Sequence, residues 1–431
     1  MGSGDEAQDV LVRIRAMGSW ENEMALTVAD SVAAMLHPLF APEAVIVRGR
    51  GSLPDEELRR ADVVIVLDPL GRRPPGRSLG FSYHRRFAAL PDAEQPRWLI
   101  PLDAGPIAAG AFAFHAPYRR AGRAKYALAR LAARLGAPVW YRHVLWLSAR
   151  STPPLESWMG QTIGRPVRLG LARGAAGARP KPIAVALDAA GKAVAFAKLA
   201  REPERRDPLR REAHALKTLA ERPETADLGP RLLGETEVVG TYVTLQEPLR
   251  GLRGPATLAS AHDRFLRALG AGDHRRPVST SAFVRNLGER ATGADASMLR
   301  RLIALVEEVE LPRVMVHGDF APWNLRAEGS RLRAFDWEWW CEDGLPLVDA
   351  LHHRLQSGFL LAGWSAVQAA GRLESEARSR PFGLTPQQTR AIQAISILDY
   401  VLHIAEDGYS PEPLAVRYRE LLARILTAVG G

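Results

Sequence analysis

The sequence has 431 residues, enough for two or three domains with full-sized apolar cores. Its single cysteine, Cys341, excludes an intramolecular disulfide and favours a reducing compartment, so we expect a cytoplasmic protein. The net charge of +9 does not indicate a nucleic-acid partner, because only five of the 57 basic residues are lysines and such an arginine bias is typical of a GC-rich genome.

Residues 1–150 are predicted to form a small α/β domain. Apolar residues at helical spacing indicate a helix at Trp20–Leu36, and short apolar runs indicate strands at Ala44–Val47 and Val63–Leu67. The region contains no glycine-rich nucleotide-binding motif, which leaves its function open. The chain starts with acidic and polar residues and has no apolar run long enough to cross a bilayer, so we expect neither a secretory signal nor a transmembrane helix.

The segment Tyr118–Leu135 is predicted to be a basic amphipathic helix. Four arginines lie near one face and three leucines near another: Arg119, Arg123, Arg130 and Arg134, and Leu128, Leu131 and Leu135. Such a helix would suit contact with an anionic membrane surface or an acidic partner. We favour the other interpretation, an ordinary surface helix in an arginine-rich chain.

Residues 151–163 contain Pro153, Pro154 and Gly160, and they are predicted to be a linker. Three apolar runs separated by short loops follow and predict an antiparallel meander. The runs are Arg168–Leu171, Ile183–Leu187 and Ala193–Leu199. The loop after the first run, with Gly174 and Gly177, is compatible with a loop that covers phosphates and equally with a plain hairpin tip.

Helical spacing predicts that the rest of the chain is mostly helical. The predicted helices are Leu209–Glu221, Leu258–Leu269, Ser279–Arg290, Ser297–Val309, Pro346–Gln356, Thr385–Ala405 and Glu412–Ala428, and a strand is predicted at Thr241–Leu245.

The most informative stretch is VMVHGDFAPWNLRAEGSRLRAFDWEWW, residues 314–340. It predicts two apolar strands that each end at a carboxylate, Asp319 and Asp336, with Asn324 in the loop after the first. Phosphoryl transfer needs a group that orients or deprotonates an acceptor hydroxyl, and it needs hard oxygen ligands for Mg²⁺. Asp319 fits the first role, and Asn324 with Asp336 fits the second. The alternative to a catalytic site is that these Asp and Asn side chains merely cap the loop by hydrogen bonds.

The motifs HGDFAPWN and FDWEW resemble the catalytic and metal-binding motifs of the aminoglycoside phosphotransferase and choline kinase family, relatives of the protein kinases. The resemblance covers about residues 164–431. It implies an α+β, bilobal, protein-kinase-like phosphotransferase fold, with an antiparallel-sheet N-lobe at 164–249 and a mostly helical C-lobe at 250–431. It also implies an enzyme that uses Mg²⁺ and ATP, with GTP as the alternative, to phosphorylate a hydroxyl of a sugar, aminoglycoside or amino alcohol.

The same resemblance assigns residues to the nucleotide. Lys198, in the run FAKLA, would orient the phosphates, and Glu212 would pair with it, although Glu212 also fits a solvated helix charge. The hinge that meets the adenine would be formed by Gln246, Glu247 and Leu249.

Two further residues are expected to brace the catalytic loop. His317, beside the catalytic Asp319, is assigned this role in place of acid or base chemistry, and Asp349 is assigned it from the start of a following helix. His352 and His353 point about 100° apart on that helix, so we expect no joint metal site there.

Acceptor recognition is expected from the second half of the chain. Asp399, Tyr400 and His403 lie on one predicted helix, and Glu338 is expected beside the metal site and the acceptor. This polar face would suit a polyol or a cationic acceptor, and a solvated helix end is equally compatible. A nucleotide-binding pseudo-kinase scaffold that acts through its N-terminal domain is the alternative function, and the oligomeric state is open.

Overall fold

The computed structural model describes residues 45–48, 61–67, 79–91, 96–114, 120–136, 143–174, 182–270, 274–407 and 412–430, with single positions at 32, 35, 36, 39 and 59. The predicted helix Trp20–Leu36 and the loop after Gly174 lie largely outside these residues. The chain divides into two compact units. The first comprises residues 1–175, 180–206 and 233–248, and the second comprises 176–179, 207–232 and 249–431.

The first unit is built around one ten-stranded sheet with the order β1-β2-β5-β3-β4-β6-β7-β8-β10-β9. Its strands are β1 (Val45–Arg48), β2 (Val63–Leu67), β3 (Tyr83–Leu90), β4 (Trp98–Pro101), β5 (His143–Ala149), β6 (Arg168–Arg173), β7 (Pro182–Leu187), β8 (Ala193–Ala200), β9 (Leu232–Val238) and β10 (Thr241–Gln246). Its helices are α1 (Gly105–Gly110), α2 (Arg120–Arg134) and α3 (Pro154–Ile163), and α4 (Pro203–Glu221) runs on into the second unit.

Side chains on both faces of this sheet are buried. Along β7, Ala184 and Ala186 belong to one apolar cluster, while Val185 and Leu187 belong to another. This alternation follows from the two-residue period of a strand and explains why β7 is apolar throughout. Strands β1 and β2 pair in parallel, and β6, β7 and β8 form the antiparallel meander that the sequence predicts.

Most of the segment 151–163, which was predicted to be a linker, is helical. Residues Pro154–Ile163 form helix α3, in which Leu155 and Met159 are buried. Strand β4, which precedes α3 in the chain, pairs with β6, which follows it. Proline suits the first turn of a helix, where its missing N–H has no partner to lose, so the prolines here begin a helix. The predicted boundary between residues 1–150 and the following strands therefore falls inside one sheet.

A buried polar group joins α3 to this sheet. The Tyr83 hydroxyl donates to Glu156 Oε2 at 2.6 Å, and Arg85 and Arg168 each place a guanidinium nitrogen 3.5 Å from Glu156 Oε1. Burial raises the pKa of Glu156, and the two arginines act in the opposite direction. Because Tyr83 and Arg85 lie on β3 and Arg168 on β6, strands on either side of the predicted boundary share one set of buried partners.

The second unit is mostly helical, as predicted. Its helices are α5 (Ser260–Leu269), α6 (Ala282–Arg290), α7 (Gly293–Ala304), α8 (Val348–Gln356), α9 (Ala366–Arg378), α10 (Pro386–Asp407) and α11 (Glu412–Gly430). Its strands are β11 (Leu252–Arg253), β12 (Arg275–Pro277), β13 (Glu310–Pro312), β14 (Val314–Val316), β15 (Leu325–Glu328), β16 (Arg331–Ala334) and β17 (Cys341–Gly344). A large antiparallel sheet in one unit and mainly helices in the other confirm the predicted α+β class.

The basic helix predicted at 118–135 forms as α2. Its leucines are exposed, Leu128 by 55%, Leu131 by 53% and Leu135 by 73%, while Ala133 is buried. In the part of the chain that the structure describes, no helix is long and apolar enough to cross a membrane.

Candidate active site

Helix α8 holds the loop that follows β14. The Asp349 carboxylate, in the first turn of α8, accepts hydrogen bonds from the backbone N–H of His317 at 2.8 Å and of Gly318 at 3.0 Å. Burial raises the pKa of Asp349 to about 6, although the two N–H groups act to lower it. Asp349 therefore makes the bracing contact expected of it.

Gly318 lets the loop turn beside Trp339. Its φ is +85°, in the left-handed region, and a Cβ built on it would lie 2.3 Å from the Trp339 carbonyl oxygen. A side chain would therefore meet both backbone strain and a collision with backbone. The glycine of the HGD motif is required by geometry at this position.

His317 is an uncharged brace between the two strand ends. Its Nδ1 accepts from the Asp319 backbone N–H at 3.2 Å, so its proton lies on Nε2, which donates to the Phe335 carbonyl at 3.1 Å. The residue is fully buried, and burial lowers its pKa to about 4. His317 thus fixes the loop before Asp319 relative to the strand end before Asp336.

The Asp319 carboxylate is held at both oxygens. Asn324 Nδ2 donates to Oδ2 at 2.7 Å and to the Asp319 carbonyl at 3.0 Å. His352 Nε2 lies 2.9 Å from Oδ1, and because an ionised carboxylate only accepts, this nitrogen is the donor. The Asp319 side chain remains 25% exposed. It is therefore a fixed carboxylate that a substrate group can still reach.

Asp336 is held in an uncommon backbone conformation. Its φ is +75°, which costs a residue with a Cβ roughly 1–3 kcal/mol. The flanking backbone groups are tied down, since the Phe335 N–H donates to the Asn324 carbonyl at 3.0 Å and the Trp337 N–H to Glu212 Oε1 at 3.3 Å. Strained residues that their surroundings fix in this way cluster at functional sites.

The predicted nucleotide residues are distributed over both units. Lys198 is half-buried on β8, between Ile183 of β7 and Thr244 of β10, in the first unit. Glu212 is fully buried in the second unit, at its contact with Trp337. Among the hinge residues, Gln246 ends β10, Glu247 is half-buried beyond it, and Leu249 opens the second unit. The buried Gln246 Nε2 finds no hydrogen-bond partner among the described residues.

Two of the predicted acceptor residues, Asp399 and His403, are held together by Arg290, at the end of α6. Its Nη1 donates to Asp399 Oδ1 at 2.7 Å and lies 3.1 Å from His403 Nε2, and its Nε donates to Glu406 Oε1 at 2.8 Å. Burial lowers the pKa of His403 to about 3 and raises that of Asp399. The Asp399 and His403 side chains, which were predicted to recognise an acceptor, thus bind an internal cation.

Two residues of the site were missed from sequence, His352 and Arg290. His352 follows Asp349 by three residues on α8 and so lies on the same helix face, which was a usable signal. Arg290 is 109 residues away from Asp399 along the chain, and no local pattern connects them. Glu338 is half-buried, and its carbonyl accepts from Arg211 Nε at 3.3 Å.

The donor set around Asn324 and Asp336 fits Mg²⁺. Both hydrogen bonds of Asn324 to Asp319 use Nδ2, so the amide oxygen, which is the atom able to bind a hard cation, is not used in them. Mg²⁺ bound with a nucleotide takes one or two protein oxygens and completes its shell with phosphates and water. In the described ranges, no three His, Cys, Asp or Glu side chains are grouped for a metal held by protein alone.

No family model and no curated protein matches the sequence. Among solved structures, the chain is similar to a thermostable mutant of aminoglycoside phosphotransferase APH(4)-Ia in its apo form, at 17% identity and a TM-score of 0.46, over 64% of this chain and 99% of that one. A further variant of that thermostable phosphotransferase, in a ternary complex with ADP and hygromycin B, matches at 16% identity and a TM-score of 0.47, with the same coverage.

Choline kinase LicA from Streptococcus pneumoniae matches at 13% identity and a TM-score of 0.38, over 64% of this chain and 99% of that one. These proteins belong to the family that the motifs HGDFAPWN and FDWEW resemble. At these identities and TM-scores the comparisons carry no argument about the chemistry of this chain, which is derived from its own side chains.

Proposed function

We propose that the chain is a phosphotransferase that moves the γ-phosphate of Mg-ATP to a hydroxyl group of a small molecule. The observation that carries this proposal is the fixed Asp319 carboxylate, bound by Asn324 and His352. The strained Asp336 follows Phe335, whose carbonyl accepts a hydrogen bond from His317 in the same catalytic loop. Phosphoryl transfer is catalysed mainly by positioning and by electrostatic stabilisation, and these contacts serve positioning.

In the proposed reaction Asp319 accepts the proton of the acceptor hydroxyl. The hydroxyl oxygen forms a bond to the γ-phosphorus, the bond from that phosphorus to the β–γ bridging oxygen breaks, and ADP leaves. Bound Mg²⁺ supplies positive charge to the phosphate oxygens, and Asn324 Oδ1 with Asp336 would hold it. Lys198 would orient the phosphates, Glu212 would support this arrangement, and Gln246, Glu247 and Leu249 would meet the base.

The test of this proposal compares two carboxylates. Asp319→Asn should leave Mg-ATP binding nearly intact while turnover falls by roughly 10² to 10⁴, as expected on removal of a general base. Asp336→Ala should weaken Mg²⁺-dependent nucleotide binding as well as turnover. Asp227→Asn is the matched control, because this carboxylate is 67% exposed and lies on the surface of the same unit.

Binding is measured as thermal stabilisation, for which nucleotide at about 100 times its dissociation constant adds roughly 2.7 kcal/mol. Turnover is measured as ADP release with a metabolite library as acceptors. Absence of any stabilisation by millimolar Mg-ATP or Mg-GTP would contradict the proposal. Nucleotide binding that depends on Asp336, with no turnover for any acceptor, would identify the chain as a nucleotide-binding scaffold.

A further inference from the structure

A continuous group of rings lies beside the Asp319 carboxylate. His352, which is hydrogen-bonded to Asp319, contacts the Tyr400 ring edge to face at 4.7 Å. The Tyr400 ring is 6.2 Å from that of Trp339, and Trp339 stacks on His403 at 4.2 Å with an angle of 8° between the rings. Trp339 and Tyr400 are only half-buried. Aromatic surface therefore reaches solvent close to the proposed catalytic carboxylate.

The charged side chains next to His403 bind one another. Arg290 binds the carboxylates of both Asp399 and Glu406. It also donates to His403 Nε2, because a guanidinium has no acceptor, and this places the His403 proton on Nδ1. The imidazole against Trp339 is thus neutral, and its neighbouring carboxylates are bound by a permanent cation.

A positively charged acceptor does not fit this arrangement. An ammonium group needs an available carboxylate or an aromatic face away from other cations. The two carboxylates next to His403 are bound to Arg290, and one face of Trp339 is covered by His403. The Asp319 carboxylate is reachable, but in the proposed reaction it faces the acceptor hydroxyl and is therefore not available to an ammonium group. The Arg290 guanidinium lies at the edge of that imidazole, 3.1 Å from its Nε2, and the charge of Arg211 also acts on the imidazole. Like charges placed close together are strongly unfavourable.

We propose that Trp339 and Tyr400 form the acceptor subsite and that it takes an uncharged, hydroxylated ring, such as a neutral sugar. The ring would lie against the aromatic surface by its C–H face and present a hydroxyl to Asp319. The inference rests on the proposed phosphotransferase function and narrows its acceptor. A polycationic aminoglycoside and a quaternary amino alcohol are thereby excluded as preferred acceptors.

Acceptor binding is measured on the full chain by saturation-transfer NMR, which needs no turnover. The probes are matched pairs, glucose with glucosamine and galactose with galactosamine, together with maltose, kanamycin and choline, each in the presence of Mg-ADP. At least one neutral sugar should bind, and about tenfold more tightly than its amino counterpart or the other amines. Preferred binding of an amine, or no binding of any neutral sugar, would overturn the proposal.

Two variants locate the binding. Trp339→Ala should weaken sugar binding by about tenfold while Mg-ATP binding stays unchanged. Trp364→Ala is the control, since Trp364 is in the same unit, packs against Arg372 at 4.3 Å and has no part in the proposed site. Equal sugar affinities in the two variants would refute the subsite. Arg290→Gln removes the charge and keeps a donor, so it should shift the preference towards the amino sugars.

These outcomes are separate from those that test the phosphotransferase proposal. Sugar binding that depends on Trp339 in a protein without turnover would support the subsite and count against the reaction. Turnover of a cationic acceptor that depends on Asp319 would support the reaction and overturn the subsite.

Discussion

The contact between His352 and Asp319 predicts a loss of turnover when the imidazole is removed. The His352 side chain is 6% exposed, and its Nε2 lies 2.9 Å from Asp319 Oδ1. A hydrogen bond to a charged group contributes about 1.5–3 kcal/mol when solvent does not replace it. Without it, the Asp319 carboxylate keeps only the Asn324 bond and can rotate, so His352→Ala should lower kcat by roughly 10- to 100-fold.

The conservative variant separates positioning from packing. The amide nitrogen of His352→Gln can still donate to Oδ1, so this variant should keep most of the kcat that His352→Ala loses. Both variants remove the ring that contacts Tyr400 at 4.7 Å, so both should lower the melting temperature. If His352 only supported packing, kcat would fall with the melting temperature in both variants, whether or not a hydrogen-bond donor is present.

The assay is a steady-state measurement of kcat and of the KM for Mg-ATP, with active protein counted by nucleotide-binding stoichiometry. Because His352 contacts the proposed base, the KM for Mg-ATP should stay near its wild-type value. A His352→Ala protein with wild-type kcat would show that the His352 contact does not orient the Asp319 carboxylate. An equal loss in His352→Gln and His352→Ala would refute the role of the hydrogen bond.

Two further predictions follow from the fold. Gly318→Ala should destabilise the protein by more than the ~1–2 kcal/mol of left-handed backbone strain, because the added Cβ meets the Trp339 carbonyl. Gly329→Ala is the control, since Gly329 has φ +60° and no atom within 4 Å of the added Cβ. In urea unfolding this control should show the cost of the strain alone. A chain that starts at Ser157 loses β4, one of the two partners of β6, and exposes that edge of the sheet, so it should be insoluble or aggregated by size-exclusion chromatography. A soluble, nucleotide-binding fragment would contradict the shared sheet.

Local sequence patterns predicted where helices and strands lie better than they predicted which distant residues contact each other. The strands at 168–173 and 193–200 and most helices of the second unit form close to their predicted ends, because each carries its own hydrophobic period. The strand β3, YHRRFAAL, was not predicted, because Arg85 interrupts its apolar pattern and is compensated by Glu156 from 71 residues away. Such distant pairs leave no periodic signal. The helix at 154–163 was not predicted, because the two prolines at its start and its glycine are also typical of a linker.

In the candidate site, too, local sequence predicts some contacts and not others. The H-G-D-x-x-x-x-N spacing places Asp319 and Asn324 in one loop, and the 2.7 Å hydrogen bond between them is a contact within that loop. The role of α10 was harder to predict, because helical spacing shows which residues share a face but not what lies against that face. Here Arg290 of α6 lies against it, so the carboxylates that could have bound a cationic acceptor already bind this guanidinium.

One helix, α8, controls both the path of the catalytic loop and the orientation of its carboxylate. Asp349 binds the backbone of His317 and Gly318, and three residues later His352 binds the side chain of Asp319. Because His352 also contacts Tyr400, a ring bound at the proposed acceptor subsite would press on the residue that orients the base. Acceptor binding and base orientation would then be coupled through a single imidazole, so substitutions at Tyr400 should change kcat as well as the KM for the acceptor.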